Sequence, residues 1–261
     1  MKNIIYSQFK STAILAANKA SAILLHYYGE RNRVSVKSNK SFVSTADLKA
    51  NDIIVKSIKS NFPNHDILSE ESVSSVTKSG RKSDYRWIID PLDGTHNFLH
   101  EIPIFGTSIA LERRNEIILG VMHFPALNLT AIAEKNKGAF LNGKRIHTSG
   151  RKTLERSMIL FEFPYKEHKN TAKFMERLSR RIVDLRDFGS AIYHLLLVAS
   201  GRCDGYITIT TNEWDVAAGY LCVLEAGGIM TDFKGKNAYI NNKSNVISNG
   251  KINGGLVKAL K

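Results

Sequence analysis

The sequence predicts an α+β protein in which helices and β-strands pack in layers. Residues 4–28 carry apolar side chains at helical spacing. Residues 85–134 hold short apolar runs separated by turn residues, which is typical of consecutive strands. After residue 171, helical and strand-like patterns alternate. Helices before and between the strands are compatible with α+β or α/β layering, and the pattern alone does not set the layer order.

The individual elements follow in chain order. The first helix stops at Gly29, and Thr45 begins a second helix that continues through Ile58 and ends before Pro63. Strands are expected at residues 85–90, 107–112, 117–124 and 129–134. The later part is expected to contain a helix at 171–181, a strand at 182–185, a helix at 190–200, a strand at 206–209, a helix from 214 to the Gly227-Gly228 pair, a strand at 229–232 and a last strand near Val246.

Length and composition favour one large domain. The chain has 261 residues, of which 43% are hydrophobic, and no Pro-rich or Gly/Ser-rich linker divides it. We expect a single domain over 1–261, made of two closely joined lobes with an approximate division near residue 150. The first ten residues lack the pattern of a secretory signal, and no apolar stretch is long enough to span a bilayer. These patterns predict a soluble cytoplasmic protein without a membrane partner.

The charge balance is strongly basic, with 37 Lys+Arg against 24 Asp+Glu and a net charge of +13. Such a field favours anionic partners. The basic residues are spread along the chain without interleaved aromatic residues, so a basic solvated surface is favoured over a dedicated nucleic-acid surface. Cys203 and Cys222 are too few and too far apart for a metal knuckle, and we expect both to be reduced and packed.

The most informative segment is an apolar strand that ends in two carboxylates, Asp90 and Asp93, separated by Pro91. Proline restricts the backbone there, and Gly94 provides turn chemistry. Thr95 then opens a short helical turn whose free N–H groups could receive an anion. Taken alone, this segment is as consistent with a solvated turn at a strand end as with a functional site.

Two other acidic sites favour the functional interpretation. Glu70 and Glu71 follow an upstream strand, and Asp215 begins an apolar helix. Bringing Glu70, Asp90, Asp93 and Asp215 together without cations would be very unfavourable, because clustered carboxylates cannot all stay ionised. Oxygen ligands without His or Cys select hard ions, so Mg²⁺ or Mn²⁺ is favoured over zinc.

The motifs of this chain resemble those of a known family. They are Asp90-Pro91-Leu92-Asp93-Gly94-Thr95 with Asn97-Phe98, Glu70-Glu71-Ser72, Trp214-Asp215-Val216-Ala217-Ala218-Gly219, and Glu225-Ala226-Gly227-Gly228. This set is similar to the two signatures and the acidic pair of the inositol monophosphatase family, most closely its bacterial SuhB-like branch. The resemblance implies a layered αβαβα sandwich of the inositol monophosphatase and fructose-1,6-bisphosphatase type. It also implies a lithium-sensitive, magnesium-dependent phosphomonoesterase that forms a homodimer.

The resemblance implies a role for each matching residue. The metal ligands would be the carboxylates of Glu70, Asp90, Asp93 and Asp215 and the backbone carbonyl of Leu92. The attacking water would be oriented and activated by Glu70, Thr95 and Asp47. The substrate would be bound by Leu92, Asp93, Gly94, Thr95, Gly189, Ser190, Ala191 and Asp215. Within that set, the amides of Gly94 and Thr95 would hold the phosphate, and residues 189–191 would contact the alcohol. Glu71 and Lys37 would support these residues from outside the site. Two or three Mg²⁺ ions are implied, with Mn²⁺ as a substitute.

Two departures from the family pattern bear on the substrate. Ser41 stands where family members usually carry an Asp in a loop expected to cover a metal, which puts occupancy of the weaker metal site in doubt. Thr208 stands where typical members have a Glu that hydrogen-bonds inositol hydroxyl groups. The loss of that carboxylate weakens inositol recognition unless another residue, such as Glu213, replaces it.

The leading hypothesis is therefore a magnesium-dependent phosphatase of inositol 1-phosphate or a related small polyol or sugar phosphate. Two alternative activities stay open within the same superfamily: fructose-1,6-bisphosphatase and 3′-nucleotide phosphatase. A hypothesis of a different class is a SuhB-like antitermination or ribosome-assembly factor that associates with RNA polymerase and has incidental phosphatase activity. The net charge of +13 favours this last hypothesis slightly.

Overall fold

A computed structural model describes residues 2–29, 34–36, 42–72, 82–162 and 168–260. The helices are α1 (Lys2–Tyr27), α2 (Thr45–Asn61), α3 (Thr95–Leu99), α4 (His168–Ser179), α5 (Ala191–Ala199), α6 (Glu213–Glu225) and α7 (Asn253–Leu260). The first seven strands are β1 (Val34–Val36), β2 (Phe42–Ser44), β3 (Asp66–Ser69), β4 (Tyr85–Asp93), β5 (Gly106–Arg113), β6 (Glu116–Phe124) and β7 (Leu129–Glu134). The others are β8 (Gly138–Leu141), β9 (Lys144–Ile146), β10 (Met158–Phe161), β11 (Asp184–Arg186), β12 (Gly205–Thr208), β13 (Ile229–Thr231) and β14 (Asn245–Ser248).

Most of the expected elements are present, with shifted boundaries. Strand β4 continues three residues beyond the expected end at Asp90, so Pro91 lies inside a strand. Strand β11 begins two residues later than expected, and α4 ends at Ser179. Six elements are present that the sequence patterns do not predict: β1, β2, β8, β9, β10 and α7. Helix α6 ends as expected, because Gly227 follows its C-cap with a positive φ of 93°.

The larger sheet has seven strands in the order β3-β4-β5-β6-β7-β8-β9. Strands β3 and β4 are parallel, and every later pair in this sheet is antiparallel. A tight turn at Arg114 and Asn115, both with positive φ, joins β5 to β6. Strands β4, β5 and β6 are buried along most of their length, because helices cover both faces of the sheet.

The smaller sheet has five strands in the order β11-β10-β12-β14-β13. Strand β10 is parallel to both of its neighbours, whereas β14 is antiparallel to β12 and β13. The parallel pairing of β10 with β12 aligns Phe161 with Ile207. Residues that follow these two strands therefore lie side by side at one edge of the sheet.

The two sheets and the helices form five layers, which confirms the expected αβαβα sandwich. Helices α1 and α2 pack against the seven-stranded sheet around Phe9 and Trp87. Helices α5 and α6 lie between the sheets, and α4 and α7 cover the outer face of the five-stranded sheet. The seven-stranded sheet ends at Ile146, and the five-stranded sheet begins at Met158. The division into two lobes near residue 150 stays a prediction.

Close packing sets the position of α6 on the larger sheet. A Cβ placed on Gly120 of β6 would lie 2.5 Å from the carbonyl oxygen of Ala218 in α6, so only glycine permits this approach. The first turn of α6 is thereby held near the ends of β4 and β5. Among the described residues, no helix has both the length and the apolar character needed to cross a membrane.

Candidate active site

An irregularity in β4 places Asp90 and Asp93 on the same face of the sheet. Residues three apart in a regular strand point to opposite faces. Here the register shifts between Asp90, which pairs with Ser108, and Asp93, which pairs with Gly106. Three steps along β4 therefore match two steps along β5, and the extra residue brings both carboxylates to one side. The backbone N–H of Leu92 donates to Asp90 Oδ1 at 3.0 Å within this irregular segment.

Gly94 turns the chain from β4 into α3. Its φ is 79°, and an added Cβ would lie 2.7 Å from the carbonyl oxygen of Ile104. Both facts require glycine at this position. The hydroxyl of Thr95 then donates back to the carbonyl oxygen of Leu92 at 2.9 Å. The expected turn and helix start are present, and two candidate site residues are linked directly.

Asp93 connects β4 to the start of α5. Its carboxylate accepts hydrogen bonds from the hydroxyl of Ser190 and from the backbone N–H groups of Ala191 (3.2 Å) and Ile192 (3.3 Å). The segment before α5 is held by Asn97, whose side-chain amide donates to the carbonyl of Phe188 at 2.7 Å. The structure thus brings residues 189–191 to the acidic site, where Ser190 and Ala191 contact Asp93.

Asp215 lies in the first turn of α6 and takes part in a capping box. The backbone N–H of Asn212 donates to Asp215 Oδ2 at 2.6 Å, and the Asn212 side chain caps the helix in return. The hydroxyl of Ser108 on β5 contacts the carbonyl of Trp214 at 3.4 Å. Helix α6 is therefore tied to the strand that pairs with β4.

Glu70 and Glu71 come from the turn after β3, and Asp47 comes from α2. Glu70 and Glu71 form a short 3₁₀ turn directly after β3, which is parallel to β4. Asp47 lies in the first turn of α2 and is only 1% exposed. Helix α2 and the strand before Glu70 are joined by the hydroxyl of Ser69, which donates to Asn51 Oδ1 at 2.6 Å.

The electrostatics show that these carboxylates are close neighbours. Burial raises the pKa of Asp90 well above its usual range, and the charges of Glu70, Asp93, Asp215 and Asp47 raise it further. Burial also raises the pKa of Asp93 to about 7, although the hydrogen bond from Ser190 opposes this shift. The pKa of Asp215 is raised well above its usual range, again chiefly by burial. Sequence-distant acidic residues therefore share one poorly solvated region.

The carboxylates are near one another without forming a coordination shell. Within the described ranges, no three His, Cys, Asp or Glu side chains converge closely enough to hold one metal ion. Asp93 is hydrogen bonded to the start of α5, and Asp215 is hydrogen bonded to the segment before α6. The donor set nevertheless fits a hard divalent cation, because every side-chain donor is a carboxylate and their mutual repulsion calls for positive charge.

Two residues named in the sequence analysis, Lys37 and Ser41, lie outside the described residues. The pair of cysteines is found as expected, since Cys203 and Cys222 are both free and buried.

Sequence reasoning missed Glu162, which directly follows β10. Thr208 Oγ1 donates to Glu162 Oε2 at 3.0 Å, and the hydroxyl of Tyr206 donates to the same oxygen. The charge of Glu162 also raises the pKa of both Asp93 and Asp215, so it lies near these two residues. A single Glu at the end of the apolar run Met158–Phe161 was the available signal. Its significance depends on the pairing of β10 with β12, which the sequence pattern did not reveal.

Glu213, considered in the sequence analysis as a replacement for the missing carboxylate at position 208, has a different set of contacts. It forms an ion pair with Arg86, which also pairs with Glu112 at 2.9 Å. The hydroxyl of Tyr239 donates to Glu112 at 3.0 Å. This network links β4, β5 and the start of α6. The ion pair of Glu213 therefore stabilises the position of the helix that carries Asp215.

The five-layered αβαβα sandwich is the fold expected from the family resemblance, and the motifs supply its clustered carboxylates. The chain belongs to the inositol monophosphatase family, since residues 5–261 match the family description "Inositol monophosphatase family". This membership supports phosphatase activity.

Relatives whose names describe different functions are similar over most of the chain. A Thermotoga maritima protein named fructose-1,6-bisphosphatase/inositol-1-monophosphatase is 39% identical over 249 residues, which cover 95% of this chain and 94% of that protein. The Nus factor SuhB of Escherichia coli (strain K12) is 36% identical over 233 residues, which cover 87% of this chain and 86% of that protein. The crystal structure of the extragenic suppressor protein suhB from Bartonella henselae has a TM-score of 0.90 at 36% identity, covering 97% of this chain and 98% of that one.

Proposed function

We propose that this chain is a magnesium-dependent phosphomonoesterase that hydrolyses inositol 1-phosphate or a related small polyol or sugar phosphate. The observation that carries the proposal is the buried carboxylate cluster, assembled from α2, the turn after β3, the irregular end of β4 and the start of α6. Buried carboxylates with raised pKa values that lie near one another are characteristic of functional sites. Family membership supports the reaction class.

The proposed cofactor is Mg²⁺, as two or three ions, with Mn²⁺ able to substitute. The carboxylates of Glu70, Asp90, Asp93 and Asp215 and the carbonyl of Leu92 would hold it. These are hard oxygen donors, which suit Mg²⁺ better than zinc. Bound Mg²⁺ would lower the pKa of a water molecule and offset charge on the phosphate and the leaving alkoxide. Sensitivity to lithium is part of this proposal.

The chain's own residues orient the water. Asp47, Thr95 and Glu70 are the proposed catalytic residues. The Thr95 side chain is positioned by its hydrogen bond to the carbonyl of Leu92, at 2.9 Å. Asp47 is buried near Asp90. Its carboxylate is the second proposed acceptor, beside the Thr95 hydroxyl, for a hydrogen bond from the water. We propose that Glu71 and Lys37 support this arrangement without contacting the substrate.

The substrate would lie between the turn at Gly94 and the start of α5. The amides of Gly94 and Thr95 are proposed to hold the phosphate, because the left-handed glycine leaves no side chain over the turn. The proposed contacts on the remainder of the substrate are Leu92, Asp93, Gly189, Ser190, Ala191 and Asp215. Since Asp93 is hydrogen bonded to Ser190, the metal side and the alcohol side of the site are directly connected.

A substrate panel tests this function. The purified protein would be assayed with Mg²⁺ on inositol 1-phosphate, fructose 1,6-bisphosphate, a 3′-phosphorylated nucleotide and phenyl phosphate. We expect the highest kcat/KM on a polyol or sugar monophosphate, and loss of activity in Asp90→Asn. The matched control is Asp84→Asn, because Asp84 lies just before β4 and is half exposed in its ion pair with Arg114. Absence of hydrolysis for every substrate would contradict the proposal.

A second candidate function is supported by the E. coli relative, which is named Nus factor SuhB. The net charge of +13 favours association with anionic nucleoprotein assemblies. We propose RNA polymerase and antitermination factors as partners under this hypothesis. Capture of purified RNA polymerase by the Asp90→Asn variant as well as by the parent would support a role that is independent of catalysis. Failure of both to bind at physiological salt would remove this candidate.

We further propose that the protein is a cytoplasmic homodimer. Light scattering after size-exclusion chromatography tests the dimer, and a mass matching 29.2 kDa would show a monomer instead.

A further inference from the structure

The alcohol side of the proposed site contains a carboxylate from an unexpected strand. The backbone N–H of Glu162 donates to the carbonyl of Ile207 at 3.2 Å, which fixes Glu162 beside the end of β12. Tyr206 and Thr208 lie two residues apart on β12, so their side chains project from the same face. Both hydroxyl groups donate to Glu162 Oε2. The orientation of the carboxylate is therefore set by two donors.

The other carboxylate oxygen is available for a ligand. Among the described residues, the hydrogen bonds to the Glu162 side chain both end at Oε2, and none reaches Oε1. Glu162 is partly exposed, whereas Tyr206 and Thr208 are fully buried. Its charge acts on Asp93 and Asp215, two residues proposed to contact the substrate. The carboxylate is thus held at the edge of the acidic cluster with one oxygen unused by the protein.

We propose that Glu162 is a specificity-determining residue whose Oε1 accepts a hydrogen bond from a hydroxyl group on the alcohol part of the substrate. This inference rests on the proposed phosphomonoesterase function and names the substrate class further: a phosphate ester of a polyhydroxylated alcohol. In this arrangement Thr208 does not supply a carboxylate; its hydroxyl orients the carboxylate of Glu162 through a hydrogen bond. A Glu introduced at position 208 would meet the carboxylate of Glu162, so we expect no gain from Thr208→Glu.

A purely structural role for Glu162 makes a different prediction. If the residue only joined β10 to β12, its replacement would disturb the site equally for every phosphate ester. If Glu162 binds a hydroxyl group of the substrate, its replacement lowers kcat/KM only for substrates whose alcohol part has such a group. The ratio of kcat/KM for inositol 1-phosphate to kcat/KM for phenyl phosphate, which has no hydroxyl group, separates the two roles.

The experiment compares this ratio in the parent, Glu162→Gln and Thr208→Val, with the melting temperature measured for each. We expect Glu162→Gln to lower the ratio about tenfold, since a charge-assisted hydrogen bond is replaced by a weaker one. Thr208→Val removes one of the two donors that orient Glu162, so we expect a smaller fall in the same direction. The matched control Glu176→Gln changes an exposed carboxylate of α4 and should leave the ratio unchanged.

The outcomes are distinguishable. An unchanged ratio in Glu162→Gln, with or without equal losses on both substrates, would overturn the inference. If Glu162→Gln does not fold, the same ratio is measured in Thr208→Val: a lower ratio than in the parent supports the inference, and an unchanged ratio overturns it. If the parent hydrolyses neither substrate with Mg²⁺ present, the proposed function itself fails, and the inference fails with it.

Discussion

Thr95 is proposed to act through its side chain and its backbone separately. Its hydroxyl would orient the attacking water, while its backbone N–H would hold phosphate. Thr95→Ala removes the hydroxyl together with the γ-methyl group and keeps the backbone N–H, so we expect kcat to fall by about 10²-fold with a much smaller change in KM, the range typical of a lost acid–base partner. Steady-state kinetics on the best substrate of the panel measure both constants.

Thr95→Ser is the matched control, because it keeps a hydroxyl that can still donate to the carbonyl of Leu92. We expect it to retain most of the activity. Equal kcat values for Thr95→Ala and the parent would show that this hydroxyl does not act on the water.

Some site residues are predictable from the sequence alone, whereas others depend on partners that are distant in the chain. The acidic residues and Gly94 stood out because strand ends, turn chemistry and charge are local properties. Glu162 did not stand out, because its partners Tyr206 and Thr208 lie more than forty positions away, with separations of 44 and 46 residues. The alternative candidate, Glu213, was adjacent to Asp215 in sequence but is paired with Arg86. The pairing of β10 with β12 favours Glu162 over Glu213 as the carboxylate on the alcohol side of the site.

At the scale of elements, the start of α6 depends on a partly buried charge network. Arg86 pairs with Glu112, whose side chain is 1% exposed, and with Glu213 at the first position of α6. Arg86→Met removes the guanidinium and leaves the Glu112 carboxylate in a poorly solvated place. We expect the free energy of unfolding to fall by about 3 kcal/mol, as for other partly broken buried ion pairs.

Chemical denaturation of a double-mutant series measures this effect. The variant Arg86→Met with Glu112→Leu should recover much of the lost stability, because no unbalanced charge stays buried. The exposed pair Arg114 and Asp84 supplies the control, since Arg114→Met should lower the free energy of unfolding far less than Arg86→Met does. Similar losses for Arg86→Met and Arg114→Met would contradict the proposed burial effect.

The elements themselves differ in how well local patterns predict them. Long segments with a clear period, such as α1, α2 and β5 to β7, were predicted within a few residues, because each has a face that must be buried. Strand β4 was predicted too short, since Pro91 indicated a turn, whereas the irregular pairing with β5 accommodates it. Strand β10 has only four residues, too few for a periodic signal.

At the scale of the whole molecule, burial of His194 predicts an acid sensitivity. Burial lowers the pKa of His194 to about 3. The ring is held neutral because its Nε2 accepts a hydrogen bond from the N–H of Phe188 at 2.9 Å, although Asp187 lies 3.5 Å from the same atom. The unfolded chain has the higher histidine pKa, so it binds the proton first. This contribution to stability is complete above about pH 6.5 and declines as the pH falls toward 3.

Comparing the parent with His194→Gln isolates this contribution from the carboxylates that titrate in the same range. Between pH 7 and pH 5, we expect the parent to lose about 2 kcal/mol more unfolding free energy than the variant. Denaturant titrations at the two pH values give the difference. Parallel losses in both proteins would show that His194 is not held neutral.

The layer order of the molecule lies beyond what local patterns contain. The sequence pattern alone was compatible with α+β or α/β layering, and the αβαβα order was expected only from the family resemblance. Physically, the order is set by contacts such as Gly120 against Ala218, which place α6 between the two sheets. A glycine in a strand does not reveal which helix it will meet.

The measurement that tests the central claim most directly is phosphate release after removal of divalent cations. Protein dialysed against EDTA should hydrolyse its best phosphomonoester no faster than the buffer does, and addition of Mg²⁺ should restore the original rate. Asp90→Asn treated in the same way should stay inactive after Mg²⁺ is returned, because one of the proposed ligands lacks its charge. Hydrolysis by the chelated parent at the untreated rate would contradict the assignment of the acidic cluster as a metal-dependent active site.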